Sequence, residues 1–241
     1  MPVLGVIPAR LGSTRLPRKP LQPLGGVPLV VRVAQQIQSL EITDRLVVAT
    51  DSTEIEAAVL EAGFEAILTS PHHPSGTDRV YEVVTRREFA GFDEILNAQG
   101  DAPFLALAAA AGALRQLRQD RDVGTAAERL DPADQLDRSR VKVVINPSGL
   151  AVTFSRSGIP GQSNWRHVGV YAYRRPALER LARAAPTAQE LAHGLEQLRA
   201  LELGLSIGVA RLDESAGPAI DTLADLELAQ AHWNLLHEVL Q

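Results

Sequence analysis

The chain has 241 residues, 45% hydrophobic and 22% charged, with a net charge of -5 and no cysteine. That is enough chain to bury a full core, while the acidic balance argues against nucleic-acid binding through a basic surface, so any anion site must be local. Lack of cysteine excludes disulfides, thiolate metal sites and a cysteine nucleophile, and no apolar run approaches the roughly twenty residues of a bilayer span, so we expect a cytoplasmic, unanchored protein.

In chain order, Val3–Ile7 reads as a buried strand and Val27–Leu40 as a helix entered through Pro28. Arg45–Ala49 is a second strand, and Thr53–Ala62 a helix whose start carries a capping box from Thr53 to Glu56. Glu65–Thr69, then Asp78–Arg87, then Glu94–Ala98 read as strand, helix and strand, and the Ala-rich segment after Pro103 as a helix. Such alternation implies parallel strands with right-handed crossovers, which bind ligands at their carboxyl ends. The loops after Ile7, after Thr69 and at Gly100-Asp101 fall there.

The second half is less regular. Val141–Ile145 and Leu150–Phe154 form a hairpin around Asn146-Pro147-Ser148-Gly149, followed by a strand, His167–Tyr173. Helices are expected at Thr187–Leu203 and Thr222–Leu240, with a strand, Ser206–Ala210, between them. We therefore expect one α/β domain over residues 1–241, with a mostly parallel central sheet flanked by helices. A small antiparallel lobe, roughly residues 140–205, is expected on the sheet's edge.

The opening loop sets Arg10, Arg15, Arg18 and Lys19 among Gly12, Ser13 and Thr14 with no acid between them. A turn after a parallel strand can aim N–H groups at an anion, and Arg10, Arg15 and Lys19 add the cations a triphosphate needs. The pattern is neither a Walker loop nor a dinucleotide fingerprint. In the stretch NAQGDAP, Asp101 ends a strand beside a glycine, where it could ligate magnesium or cap the next helix. Asp221 is the second candidate carboxylate, because Thr222 and Asp225 already form a capping pair. Ser75, Thr77 and Arg79 offer the directional hydrogen bonds that reading a base edge requires. His72 and His73 invite a metal reading, but neighbouring residues seldom ligate one ion together, so that loop is read as solvated. Arg156, His167 and Tyr171 suit a carboxylated, hydroxyl-rich ligand, with His167, Gly169 and Tyr171 on one strand face. Leu191, Leu195 and Leu198 are read as a buried helical stripe, with Glu196 off it and solvated.

Taken together these stretches resemble the 3-deoxy-manno-octulosonate cytidylyltransferase (CMP-Kdo synthetase) family. The matching pieces are IPAR-x-x-STRLP-x-KPL at 7–21, VATD at 48–51, SGTDR at 75–79, QGD-x-P at 99–103 and VKVV at 141–144. FSR-x-x-IP at 154–160, RH-x-G-x-Y-x-YR at 166–174, LEQLR at 195–199 and DT-x-x-DL at 221–226 complete the set, in the family's order. Three features depart from the family's pattern: Ala102 for a glutamate, Arg18 for a glycine, and a short segment between Pro160 and Trp165.

The resemblance implies a nucleotidyltransferase (nucleotide-diphospho-sugar transferase-like) fold, a homodimer, a Mg2+ requirement, and coupling of CTP to the sugar acid Kdo for lipopolysaccharide synthesis. It implies that Ala9, Arg10, Ser13, Arg15 and Lys19 hold the triphosphate, and that Ser75, Gly76 and Arg79 lie near cytosine and ribose. Asp101 and Asp221 would carry the metal and, with Arg10, Arg15 and Lys19, form the catalytic set. Gln99, Arg156, His167, Tyr171, Glu196 and Gln197 would hold the sugar, which reverses the isolated reading of Glu196. A different acidic sugar, amino-Kdo or sialic-like, is the alternative substrate, and a non-catalytic CTP-binding regulator the alternative class.

Overall fold

The apolar opening forms β1 (Val3–Ala9), buried almost throughout and continuing through Pro8 beyond the expected end at Ile7. A two-residue ribbon follows, β2 (Pro23–Leu24) antiparallel to β3 (Val27–Pro28). Gly25 and Gly26 close it with φ of 58° and 76°, a left-handed pair that suits the twist of a tight hairpin. Helix α1 (Leu29–Ser39) therefore starts later than the expected Val27, since Val27 and Pro28 are held in the ribbon. Next come β4 (Arg45–Thr50), α2 (Thr53–Glu61), β5 (Glu65–Leu68) and α3 (Gly76–Thr85). Strand β4 pairs in parallel with both β1 and β5, as the alternation of strand and helix requires.

Serine caps set the starts of α2, which begins at Thr53 as expected, and of α3, which begins earlier than expected. Ser52, not Thr53, caps α2: it is extended and its Oγ accepts from the Ile55 amide at 3.4 Å. Thr53 is thus already the first helical residue. Ser75 caps α3 in the same way, accepting from the Asp78 amide at 3.2 Å, so the helix begins at Gly76 rather than Asp78.

The computed structural model describes residues 1–13, 15–159 and 165–238. They divide into two compact units. The elements above lie in one, built from Leu4–Phe89, Ala98–Leu105 and Gly217–Gln241; the other comprises Met1–Val3, Ala90–Asn97 and Ala106–Ala216.

The second unit carries β6 (Glu94–Ala98), α4 (Leu107–Leu117), β7 (Val123–Arg129), the hairpin β8 (Lys142–Ile145) and β9 (Ala151–Ser155), and β10 (Trp165–Arg174). It ends with α5 (Arg175–Arg183), α6 (Ala188–His193), α7 (Gln197–Glu202) and β11 (Ile207–Leu212), after which α8 (Leu223–Glu238) belongs to the first unit. The strand order is β11-β7-β10-β6. Strand β7 pairs in parallel with β11 and antiparallel with β10, and β8 pairs antiparallel with β9 and β10.

Strand β7 and helix α5 were not anticipated. VGTAAER has only Val123 and Thr125 to mark a strand, with Gly124, Ala126 and Ala127 among them. Its small side chains serve a different need, because a Cβ on Gly124 would lie 1.9 Å from the Ala113 carbonyl oxygen of α4. The predicted helix from Thr187 to Leu203 is two helices, broken at Gly194, which takes φ of 59° and ends α6. That break exposes Leu191 while Leu195 and Leu198 stay buried, so the stripe read from the sequence holds only in its second half. The expected end of the last helix at Leu240, and Pro160 of the FSR-x-x-IP piece, lie outside the described residues.

Gly124→Ala should lower the urea midpoint by an amount equivalent to about 1–3 kcal/mol or more, the cost of forcing a methyl into packed backbone. Gly91→Ala, where the added Cβ meets nothing within 4 Å, should leave the midpoint unchanged.

Candidate active site

An apolar cluster sits beneath the first loop. Leu16 packs there with Leu24, Leu29, Ile220 and Leu226, and Phe104 lies against them. Burying Leu16 holds its neighbours Arg15 and Lys19 at the loop surface, and burying Ile220 does the same for Asp221. The Ile220 amide also donates to the Asp101 carbonyl at 2.8 Å. One backbone bond thus joins two aspartates 120 positions apart in the sequence.

The charges converge in consequence. Lys19 Nζ donates to Asp101 Oδ2 at 2.7 Å and to Asp221 Oδ1 at 3.0 Å. Arg15 donates to the same Asp221 oxygen at 3.0 Å. Desolvation lowers the Lys19 pKa, but the attraction of Asp101 and Asp221 outweighs it and the net shift is upward. Lys19 is therefore a fixed cation at any working pH. Asp101 does not cap α4, which starts at Leu107 after Ala106. Thr222 and Asp225 do cap α8 reciprocally: the Asp225 amide donates to Thr222 Oγ1 at 3.2 Å and the Thr222 amide to Asp225 Oδ2 at 2.8 Å. The Asp221 side chain is left to the cations.

Among the described residues no three His, Cys, Asp or Glu side chains gather as a self-sufficient metal site. Two carboxylates aimed at one point suit a hard divalent ion that takes its remaining ligands from phosphate and water. The ammonium of Lys19 now stands where both carboxylates meet a positive charge, so the donor set fits magnesium.

Two adjoining clefts open on this cluster. One, of about 260 Å³, is lined by Ala9, Arg10, Ser13, Arg15, Lys19, Gln99 and Asp101. The other, of about 230 Å³, is lined by Arg10, His73, Ser75, Gly76, Arg79, Gln99 and Asp101. Gly100 is required between them, since a Cβ there would meet the Pro8 carbonyl oxygen at 2.9 Å. Arg10 faces both clefts and has no ion-pair partner among the described residues. Arg18 turns elsewhere and pairs with Glu54, while its backbone keeps the left-handed φ of 55° that glycine would favour.

Several supporting residues were not singled out from the sequence as site residues. Arg79 is buried, donating to Asp51 Oδ2 at 2.7 Å and to Thr69 Oγ1 at 2.5 Å, so the aspartate of VATD orients the arginine of SGTDR. His73 is half-buried and its Nε2 lies 2.5 Å from Glu82, which corrects the reading of that loop as wholly solvated. The signal available was spacing: Glu82 follows nine positions on, across the start of α3.

In the second unit, Thr125 Oγ1 lies 2.9 Å from His167 Nε2, and the His167 ring contacts Phe154 and Tyr171 at centroid distances of 5.1 and 5.3 Å. Although the residue retains some exposed surface, desolvation of the imidazole lowers its pKa to about 3. Desolvation raises the Tyr171 hydroxyl well above its ordinary value, with Tyr173 and Glu196 adding to the effect. His167 is thus neutral and Tyr171 protonated at working pH. The register of β10 against β7 shifts between Val168 and Tyr171, so Gly169 falls in an irregular segment while His167 and Tyr171 still meet.

Glu196 is half-buried, not solvated, and accepts from buried Arg199 at 3.3 Å. Arg199 also holds Glu190 and the carbonyls of Leu181 and Ala184. Arg156 donates to the carbonyls of Arg138, His193 and Gly194, each at 3.3 Å, and so ties β9 to the turn before Glu196. Gln197 is buried at the start of α7. Of the residues assigned to the sugar, Gln99 stands with the phosphate-binding group in the first unit and the others lie in the second.

A sequence model of the cytidylyltransferase family matches residues 4–207. The 3-deoxy-manno-octulosonate cytidylyltransferase of Gemmatimonas aurantiaca is 47% identical, over 98% of this chain and 96% of its own. The protein of the same name from Polynucleobacter asymbioticus is 42% identical, over 93% of this chain and 92% of its own. A solved structure of CMP:2-keto-3-deoxy-manno-octonic acid synthetase complexed with CTP superimposes with a TM-score of 0.90 at 35% identity, covering 98% of this chain and 100% of that one.

The low basicity of His167 gives a pH prediction. Its pKa is about 3 folded and near 6.5 unfolded, so only the unfolded chain takes up this proton as the pH falls between those values. Stability should therefore decline from about pH 6.5 towards pH 3 and be insensitive to this group above that range. His167→Gln should flatten part of the decline in a plot of urea midpoint against pH.

Proposed function

The chain belongs to the cytidylyltransferase family, and from that premise we propose that it transfers CMP from CTP to the anomeric hydroxyl of 3-deoxy-D-manno-octulosonate, releasing pyrophosphate. The observation that carries the site assignment is the convergence of Arg15 and Lys19 on Asp101 and Asp221 beside Arg10, a cation with no ion-pair partner among the described residues.

In this reading Arg10, Ser13, Arg15 and Lys19 bind the triphosphate, and Ser75, Gly76 and Arg79 face the nucleoside. Arg156, His167, Tyr171, Glu196, Gln197 and Gln99 hold the sugar acid. Asp101 and Asp221 would hold magnesium, which supplies charge neutralisation at the phosphate oxygens and acidifies a nearby hydroxyl. The bond from the anomeric oxygen to the α-phosphorus forms as the bond to pyrophosphate breaks in line, and the hydroxyl proton is released to solvent. Arg10, Arg15 and Lys19 stabilise the negative charge that gathers on the departing pyrophosphate. His167 is too weak a base to hold the hydroxyl proton, so its task, with Tyr171, is to position the sugar. A homodimer in the cytoplasm completes the proposal; no helix among the described residues is long and apolar enough to cross a membrane.

Pyrophosphate release from CTP and magnesium should depend on Kdo, with UTP, ATP and a sialic acid giving far less. Kdo-independent or absent release would overturn the assignment. Asp101→Ala and Asp221→Ala should each reduce turnover by at least about 100-fold without changing the circular dichroism spectrum. A near-normal rate in either would remove it from the metal site, and chelation with EDTA should abolish wild-type release.

A further inference from the structure

His73 lines the same cleft as Ser75, Gly76 and Arg79, and is itself outside the residues assigned to the nucleotide. Its Nε2 lies 2.5 Å from Glu82 Oε2. The same carboxylate oxygen accepts the Ser70 amide at 2.8 Å, and Arg86 approaches its other oxygen at 3.6 Å. Burial alone would raise the Glu82 pKa, but the Ser70 amide, His73 and Arg86 outweigh it and hold the group below its ordinary value. Glu82 is therefore an acceptor only, and the hydrogen it faces must sit on Nε2. In the neutral ring this leaves Nδ1 as an acceptor, with no partner among the described residues.

We propose that His73, held in this tautomer by Glu82, selects cytosine over uracil by accepting a hydrogen bond at Nδ1 from the exocyclic amino group. The proposal rests on the CTP-using reading above. The chemistry separates the two bases at one atom: cytosine carries an amino donor at C4 where uracil carries a carbonyl acceptor. An acceptor aimed at that position gains a bond with the first and faces a lone pair with the second. A site built to pair one polar group rejects the analogue that leaves the pair unmade. The buried arginine of the same cleft is spent on Asp51 and Thr69, and an arginine could only donate, which would favour uracil's oxygen. Glu82 is a positioning residue in this scheme, and no chemistry passes through it.

The test is the ratio of kcat/KM for CTP to that for UTP, with calorimetric binding of both nucleotides, in wild type, His73→Ala and Glu82→Ala. His73→Ala should lower the ratio by about tenfold or more, one hydrogen bond's worth. Glu82→Ala should lower it less, because the ring keeps its place but loses its fixed tautomer. An unchanged ratio in His73→Ala, in an enzyme that still turns over CTP, would overturn the proposal and leave the cytidylyltransferase reading standing. Failure of the wild type to bind or use CTP would instead sink that reading, and this proposal with it. Nitrogen NMR of the wild type needs no variant to fold. The His73 signals should report the Nε2–H tautomer in the free protein and an Nδ1 shift on adding CTP but not UTP; an Nδ1–H tautomer, or no shift with CTP, would also overturn the proposal.

Discussion

Two carboxylates brought within about 3 Å of one nitrogen repel each other unless a cation lies between them. The first unit is arranged around that requirement. Lys19 meets it, and it can do so because a buried leucine and a buried isoleucine pin the two chain segments that carry the lysine and Asp221. The apolar cluster therefore has an electrostatic consequence. It fixes the separation at which two acids and two bases face each other, and that separation determines what can replace the ammonium. An ion with magnesium's preference for oxygen is matched to it, provided phosphate completes the coordination.

The second unit uses the opposite strategy. Two of its candidate sugar-binding groups are kept uncharged by desolvation: His167 neutral, Tyr171 protonated. The charge of Glu196 is met at once by Arg199, which also pairs with Glu190. A hydroxyl-rich ligand needs directional donors and acceptors more than net charge, and neutral groups held by Thr125 and aromatic neighbours keep their direction. Arg156 spends its donors on backbone carbonyls, two of them those of His193 and Gly194, which stiffens the turn from which Glu196 projects.

Arg18 illustrates how a local departure is absorbed. A residue with a Cβ in the left-handed region costs about 1 kcal/mol relative to glycine. The backbone nevertheless keeps that conformation, and the side chain leaves the loop to meet Glu54 on the surface. The loop's path, and with it the placing of Lys19, is thus preserved, whereas Arg18 itself is lost to the anion site.

The sequence by itself determined the alternation of strands and helices, the three loops at strand ends, and the residue types of the phosphate and metal groups. These depend on short-range periodicity, capping and turn chemistry, which act within a few residues. It also carried Asp101 and Asp221 as candidates, but only as two acids far apart. Their meeting depends on Ile220 reaching the Asp101 carbonyl, and no local pattern encodes a bond between segments so distant. Tertiary structure likewise decided that VGTAAER is a strand, because its small residues answer to the close approach of α4 rather than to β-propensity. It decided that Glu196 is paired and not solvated, because Gly194 turns the chain and Arg199 is buried beside it. And it decided the state of His73, a residue indistinguishable in sequence from its neighbour His72, because among the described residues only His73 finds a carboxylate, that of Glu82, within hydrogen-bonding distance once α3 is in place.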